Sequence, residues 1–154
     1  GVSEAALYRH FASKAQMFEG LIDFVDQSTM GLIRQVTDRE SAGPQQAGRI
    51  VALLFQFAEK NPGMSRVMIG DALVLEHERL QERINLLFDK IEAQLRQSLK
   101  TSDSATSATS STADAQVAAS LLVAFMQGRL QRFARTGFKR LPSEHLQAAL
   151  ARML

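Results

Sequence analysis

Apolar residues return every three or four positions through most of this chain, and nowhere do they alternate convincingly with polar ones. Met17, Phe18, Leu21, Ile22, Val25, Ile33 and Val36 form one such series, and Leu80, Ile84, Leu87, Ile91 and Leu95 form another. At 3.6 residues per turn these spacings gather each series on one side of a helix. The chain can hide them only by packing helices together, so the predicted fold class is all-α. At 154 residues, 45% of them hydrophobic, it has the material for one well-buried core.

Punctuation divides the pattern. Ser3 can cap a short helix through about His10, and Ser13-Lys14-Ala15-Gln16 has the spacing of a capping box that opens a long helix to about Asp38. From Gln45 to Lys60 apolar residues point almost all round, which predicts a central helix buried on most sides. Asn61-Pro62-Gly63 stops it, and a short helix through about Gly70 follows. Residues 101–113, rich in Ser, Thr and Ala, read as a flexible loop, with Thr112 or Asp114 capping the next helix to about Arg135. Pro142-Ser143 is expected to open a last helix bearing Leu146, Leu150 and Met153.

Several classes of function drop out. With no cysteine there is no disulfide, thiolate site or cysteine nucleophile. His10, His77 and His145 lie far apart without ligand spacing, and Glu76-His77-Glu78 reads as a solvated helix start. No phosphate loop, nucleophile elbow or paired-carboxylate motif is present, so no catalytic residue, metal or cofactor is expected. No apolar run is long enough to span a membrane, and a net charge of +2 does not by itself argue for nucleic acid.

The segment Gly1-Val2-Ser3-Glu4-Ala5-Ala6-Leu7-Tyr8-Arg9-His10-Phe11-Ala12-Ser13-Lys14 resembles the second half of a TetR-family helix-turn-helix. Gly1 would supply the sharp corner, small Ala5 and Ala6 a close approach to a groove wall, and Tyr8 and Lys14 bonds to phosphate. The resemblance implies a TetR-like helical bundle that binds double-stranded DNA through Val2, Ser3, Glu4, Ala5, Tyr8, Arg9, His10 and Lys14. It also implies that the leading helices of the motif precede Gly1, so the sequence reads as the remainder of a longer protein. Residues 1–13 would then end the DNA-binding domain, and residues 14–154 would form a regulatory and dimerisation domain.

The likeness continues through Asn61-Pro62-Gly63, Leu80-Gln81-Glu82-Arg83-Ile84-Asn85 and Ile91-Glu92-Ala93-Gln94-Leu95-Arg96-Gln97, which are similar to the nucleoid occlusion factors within that family. Such factors bind dispersed chromosomal sites as dimers in the cytoplasm, on the nucleoid. There they disrupt polymers of the tubulin-like division GTPase. The resemblance implies that the carboxyl-terminal tail of the GTPase lies between the long and central helices, at positions matching Phe24, Leu53, Lys60 and Asn61. Two positions depart from the pattern: Leu32 replaces an arginine and Gln56 a glycine. It implies, too, a homodimer through the last two helices, with Leu121, Phe125, Gly128, Leu146 and Leu150 at the seam, where Gly128 permits close backbone approach. The alternative is a ligand-responsive TetR repressor, with Phe55, Phe57, Met64, Met68 and Phe125 around an effector.

Overall fold

The computed structural model describes residues 13–74, 76–100 and 108–154, the last stretch with side chains from Thr112 onward. These residues form α-helices and no strand, as the apolar spacing predicts. They are α1 (Lys14–Arg39), α2 (Pro44–Lys60), α3 (Pro62–Ile69), a 3-10 turn (Asp71–Leu73), α4 (Glu78–Lys100), α5 (Ala108–Arg135) and α6 (Leu146–Met153).

The helix starts follow from local chemistry. Ser13 caps α1, its hydroxyl accepting the Gln16 amide at 3.1 Å. Pro44 and Pro62 each stand in the first turn of a helix, where a missing N–H costs nothing. Gly70 ends α3 at φ 84°, a left-handed conformation that a side chain resists. A Cβ there would lie 2.8 Å from the Gln81 amide group.

Three expectations are corrected. Helix α5 begins at Ala108, inside the stretch read as a loop through residue 113, so Thr112 and Asp114 lie within the helix; residues 101–107 lie outside the described residues. Alanines favour helix, and a long helix anchored downstream propagates into polar sequence at little cost. Second, α2 is buried on about half of its circumference, since Gln45, Arg49, Gln56 and Lys60 are exposed. Third, the last helix starts at Leu146, because residues 142–145 are taken up by a turn that places His145 at φ 54°.

Contacts between helices give their directions. The pairs Lys14–Glu76, Glu19–Arg79, Asp23–Arg83 and Asp26–Lys90 rise together along α1 and α4, so these two helices run parallel. Ser98 near the end of α4 donates to Gln46 near the start of α2 at 2.6 Å, so α2 runs the opposite way. Phe125 packs at a tilt against Phe55 and Arg66 reaches the Ala134 carbonyl, so α5 runs with α2. Ser143 bonds Glu59 while Leu150 lies at Gly48, which makes α6 antiparallel to α2. One end of the bundle therefore collects Ser13, Asn61, Glu76 and the α5–α6 corner.

Phe55, Leu54, Ile91, Leu95, Leu122 and Met126 are almost wholly enclosed at the centre. Each such side chain contributes about 1.5–3 kcal/mol by leaving water. Truncating Phe55 to Ala would cost about 3–5 kcal/mol, because the surrounding helices cannot fully collapse onto the space.

Candidate functional site

Helix α2 presents Leu53, Phe57, Lys60 and Asn61 along one side, since they stand four, seven and eight residues apart. Phe57 is buried, and Phe24 of α1 lies on it with ring centroids 5.9 Å apart. About half of Phe24 (49%) remains exposed, which is unusual for a phenylalanine in a small core. Leu53 is partly buried against the core and Lys60 is exposed in the last turn. Of the four positions named as partner contacts, Phe24 thus meets the α2 row through Phe57, a residue that sequence reasoning had assigned to an effector pocket. Asn61 serves the fold as well: its side-chain amide donates to the Phe57 carbonyl at 2.9 Å and ends the helix. Leu32 packs against the core, whereas Gln56 is exposed on the outer side of α2.

At the near end, Lys14 pairs with Glu76 at 2.8 Å and lies 5.9 Å from the centre of the Phe18 ring. The other proposed DNA contacts, Val2, Ser3, Glu4, Ala5, Tyr8, Arg9 and His10, lie outside the described residues. Glu76 thus has a partner, and His77 accepts the Arg79 amide at 3.2 Å, fastening the start of α4. Among the described residues no group of three or more His, Asp or Glu is placed to hold a metal ion. Nor is any helix there long and apolar enough to cross a membrane.

The ion pairs between α1 and α4 were not anticipated. Their signal was present in the acidic residues at 19, 23 and 26 and the basic ones at 79, 83 and 90, but spacing alone could not say that the two rows face each other. Each pair is partly exposed and worth at most about 1 kcal/mol. Together they fasten α1 to α4 along the first half of α1.

Helix α5 carries a row of small and apolar residues that nothing among the described residues covers. Val117 and Leu121 are more than half exposed, and Ala124 and Gly128 follow them at the same side. A Cβ added at Gly128 would meet nothing within 4 Å, so the close approach expected of that glycine is not made among the described residues. Phe125 is partly buried against Phe55, with the Arg129 guanidinium 4.8 Å from its ring centre. Leu146 and Leu150 are corrected in one respect: both are buried within the protomer, with Leu150 against Gly48, and the exposed side of α6 holds Gln147, Ala148, Ala151 and Arg152. Eight residues are too few for α6 to show two apolar faces once one has been spent on the core. Phe55, Phe57 and Met68, named for an effector, are buried core residues, and Met64 packs against the same core. A cavity of about 880 Å³ opens elsewhere, between the start of α2 and the end of α6, lined by Pro44, Gly48, Ala52, Leu150, Ala151 and Leu154 among others.

Comparison with known proteins agrees with this architecture. Residues 45–153 match the family described as tetracyclin repressor-like, C-terminal domain, of the SlmA-like type. The nucleoid occlusion factor SlmA of Idiomarina loihiensis is 46% identical over 148 residues, spanning 96% of this chain and 75% of its own length. That of Shewanella sp. strain MR-4 is 48% identical over 145 residues, 94% of this chain and 73% of its own. The Vibrio vulnificus protein of the same name is 45% identical over 147 residues, 96% of this chain and 74% of its own. Matched along nearly its whole length as well as in its helical domain, the chain belongs to the SlmA-like family of TetR-type proteins.

Proposed function

We propose that the protein is a nucleoid occlusion factor: a homodimer that sits on chromosomal DNA in the cytoplasm and blocks assembly of the tubulin-like division GTPase over it. It acts by binding and not by catalysis. Residues 1–13 end its DNA-reading domain, and residues 14–154 are the regulatory and dimerisation domain. The observation that carries this reading is the identity of 45–48% over 94–96% of the chain with proteins named nucleoid occlusion factor SlmA. Regulatory domains of TetR-type proteins serve many ligands on one fold, so likeness there speaks to function more than likeness in a DNA-reading motif does.

The geometry supports each part. The half-exposed Phe24 beside Phe57, with Leu53 and Lys60 on the adjoining helix, offers apolar surface next to a cation, which suits a disordered tail with aliphatic and acidic residues. The uncovered row Val117, Leu121, Ala124 and Gly128 suits a second copy, because a glycine in an exposed helix face lets two backbones approach. Lys14, at the amino end of α1, would offer its charge to a phosphate in exchange with Glu76.

Chromosome-wide mapping of the full-length protein tests the reading. Many dispersed sites, together with filamentous division arrest on overexpression, are expected. Occupancy confined to a few promoters, released by a small molecule, would replace it with the ligand-responsive repressor.

A further inference from the structure

The corner between α5 and α6 concentrates charge of one sign. From residue 129 to 145 there are five Lys and Arg residues (Arg129, Arg132, Arg135, Lys139, Arg140) and one acidic residue, Glu144. Arg140 grips the Glu144 carboxylate through Nε and Nη2 at 3.2–3.3 Å. Arg132 approaches the same carboxylate only to 3.6 Å, beyond hydrogen-bond distance. Its Nε and Nη2 are shielded from solvent and make no hydrogen bond among the described residues. Arg129 donates to the carbonyls of Pro142 and Glu144, and burial, followed by the charge of Arg132, holds its pKa below the usual arginine value.

We propose that this corner is a phosphate-binding site formed by Arg132 and Arg140, in which Glu144 holds the ligand's place until it arrives. The chemistry selects phosphate over a carboxylate. A carboxylate has two oxygens, and those of Glu144 serve the Arg140 fork while leaving the donors of Arg132 unmet. A phosphate adds further oxygens and a second negative charge, enough for both guanidinium groups. Glu144 is partly exposed at the surface, so its side chain can turn away without disturbing the core. Both free phosphate and the phosphate of a nucleic acid backbone carry this chemistry.

The test is a titration of the full chain with inorganic phosphate against chloride at matched ionic strength, following the Nε–Hε NMR signals of Arg132 and Arg140. Saturable shifts of both signals are expected at millimolar phosphate. Glu144→Gln should bind several-fold more tightly because the internal competitor is weakened, and Arg140→Gln, at an exposed position that leaves the core intact, should lose at least most of the affinity. A parallel titration with a duplex of arbitrary sequence separates the sources. If only the duplex moves the two signals, and Arg140→Gln removes that response, the occupant is a backbone phosphate. The proposal is overturned if neither ligand moves the Arg132 signal. It is equally overturned if Arg140→Gln binds phosphate as the parent does, which would leave the corner as a brace between helices.

Discussion

Replacing Phe24 by Ala should cost both the proposed partner binding and stability, because the side chain divides almost evenly between the two. It is 49% exposed, and its covered part lies on Phe57. A phenylalanine side chain presents about 200 Å², so roughly 100 Å² is open to a partner and a similar area is already buried. At about 25 cal/mol per Å² the open half is worth ~2.5 kcal/mol to a tail that covers it fully, which is roughly sixtyfold in dissociation constant. Losing the covered half costs the fold at most a comparable ~2.5 kcal/mol, an upper value because unfolded chains bury some surface too. In a domain of this size that lowers the melting temperature by about 5–10 °C. The assay is fluorescence anisotropy of a labelled tail peptide against the DNA-bound dimer, run well below the melting point of the variant and paired with thermal melts. Lys60→Glu, at an exposed position, should weaken the peptide without the thermal cost. Less than a threefold change in affinity for both variants would refute the assignment of this face to the tail.

Gly128→Leu adds bulk where the protomer has open space, so it should leave the monomer folded but convert the dimer to monomer in sedimentation; a variant that stays dimeric removes α5 from the interface. In the full-length protein Lys14→Ala should weaken all DNA sequences about equally and lower the salt slope by about one per protomer, whereas Glu76→Gln, which removes the negative charge paired with Lys14, should act in the opposite direction. A loss confined to one sequence would contradict a phosphate role for Lys14. Hydrogen bonding from Arg140 holds the Glu144 carboxyl below its ordinary value of 4.5. A lowered carboxyl pKa stabilises the fold above the unfolded value and ceases to as the pH falls through the folded one. The melting-temperature difference between the parent and Glu144→Gln should therefore be level near neutral pH and shrink below about 4.5; a difference that grows on acidification would reverse the assignment.

Helix α4 shows how much was legible beforehand. Leu80, Ile84, Leu87, Ile91 and Leu95 sit at helical spacing, and all five are buried in the core. Ser13 was readable as a cap because its hydroxyl acts on an amide three residues away. The start of α5 was not, because whether a Ser, Thr and Ala stretch is helical depends on what holds its far end. The fate of Leu146 and Leu150 was equally hidden: an apolar stripe announces that it will be covered, without saying whether by its own chain or by another.

The same division runs through the functional surfaces. Local spacing by itself determined the all-helical class, the Ser13 cap, the stops at Asn61 and Gly70 and the inward faces, since each depends on residues within about one turn of one another. Only the tertiary structure decided that Phe24 rests on Phe57, that the acidic row of α1 meets the basic row of α4, and that Arg132 is left with unmet donors beside Glu144. Those pairings join residues that are distant along the chain, for instance 60 positions apart in Asp23 and Arg83. Their energies come from which helix faces are brought together, and a one-dimensional pattern does not carry that information.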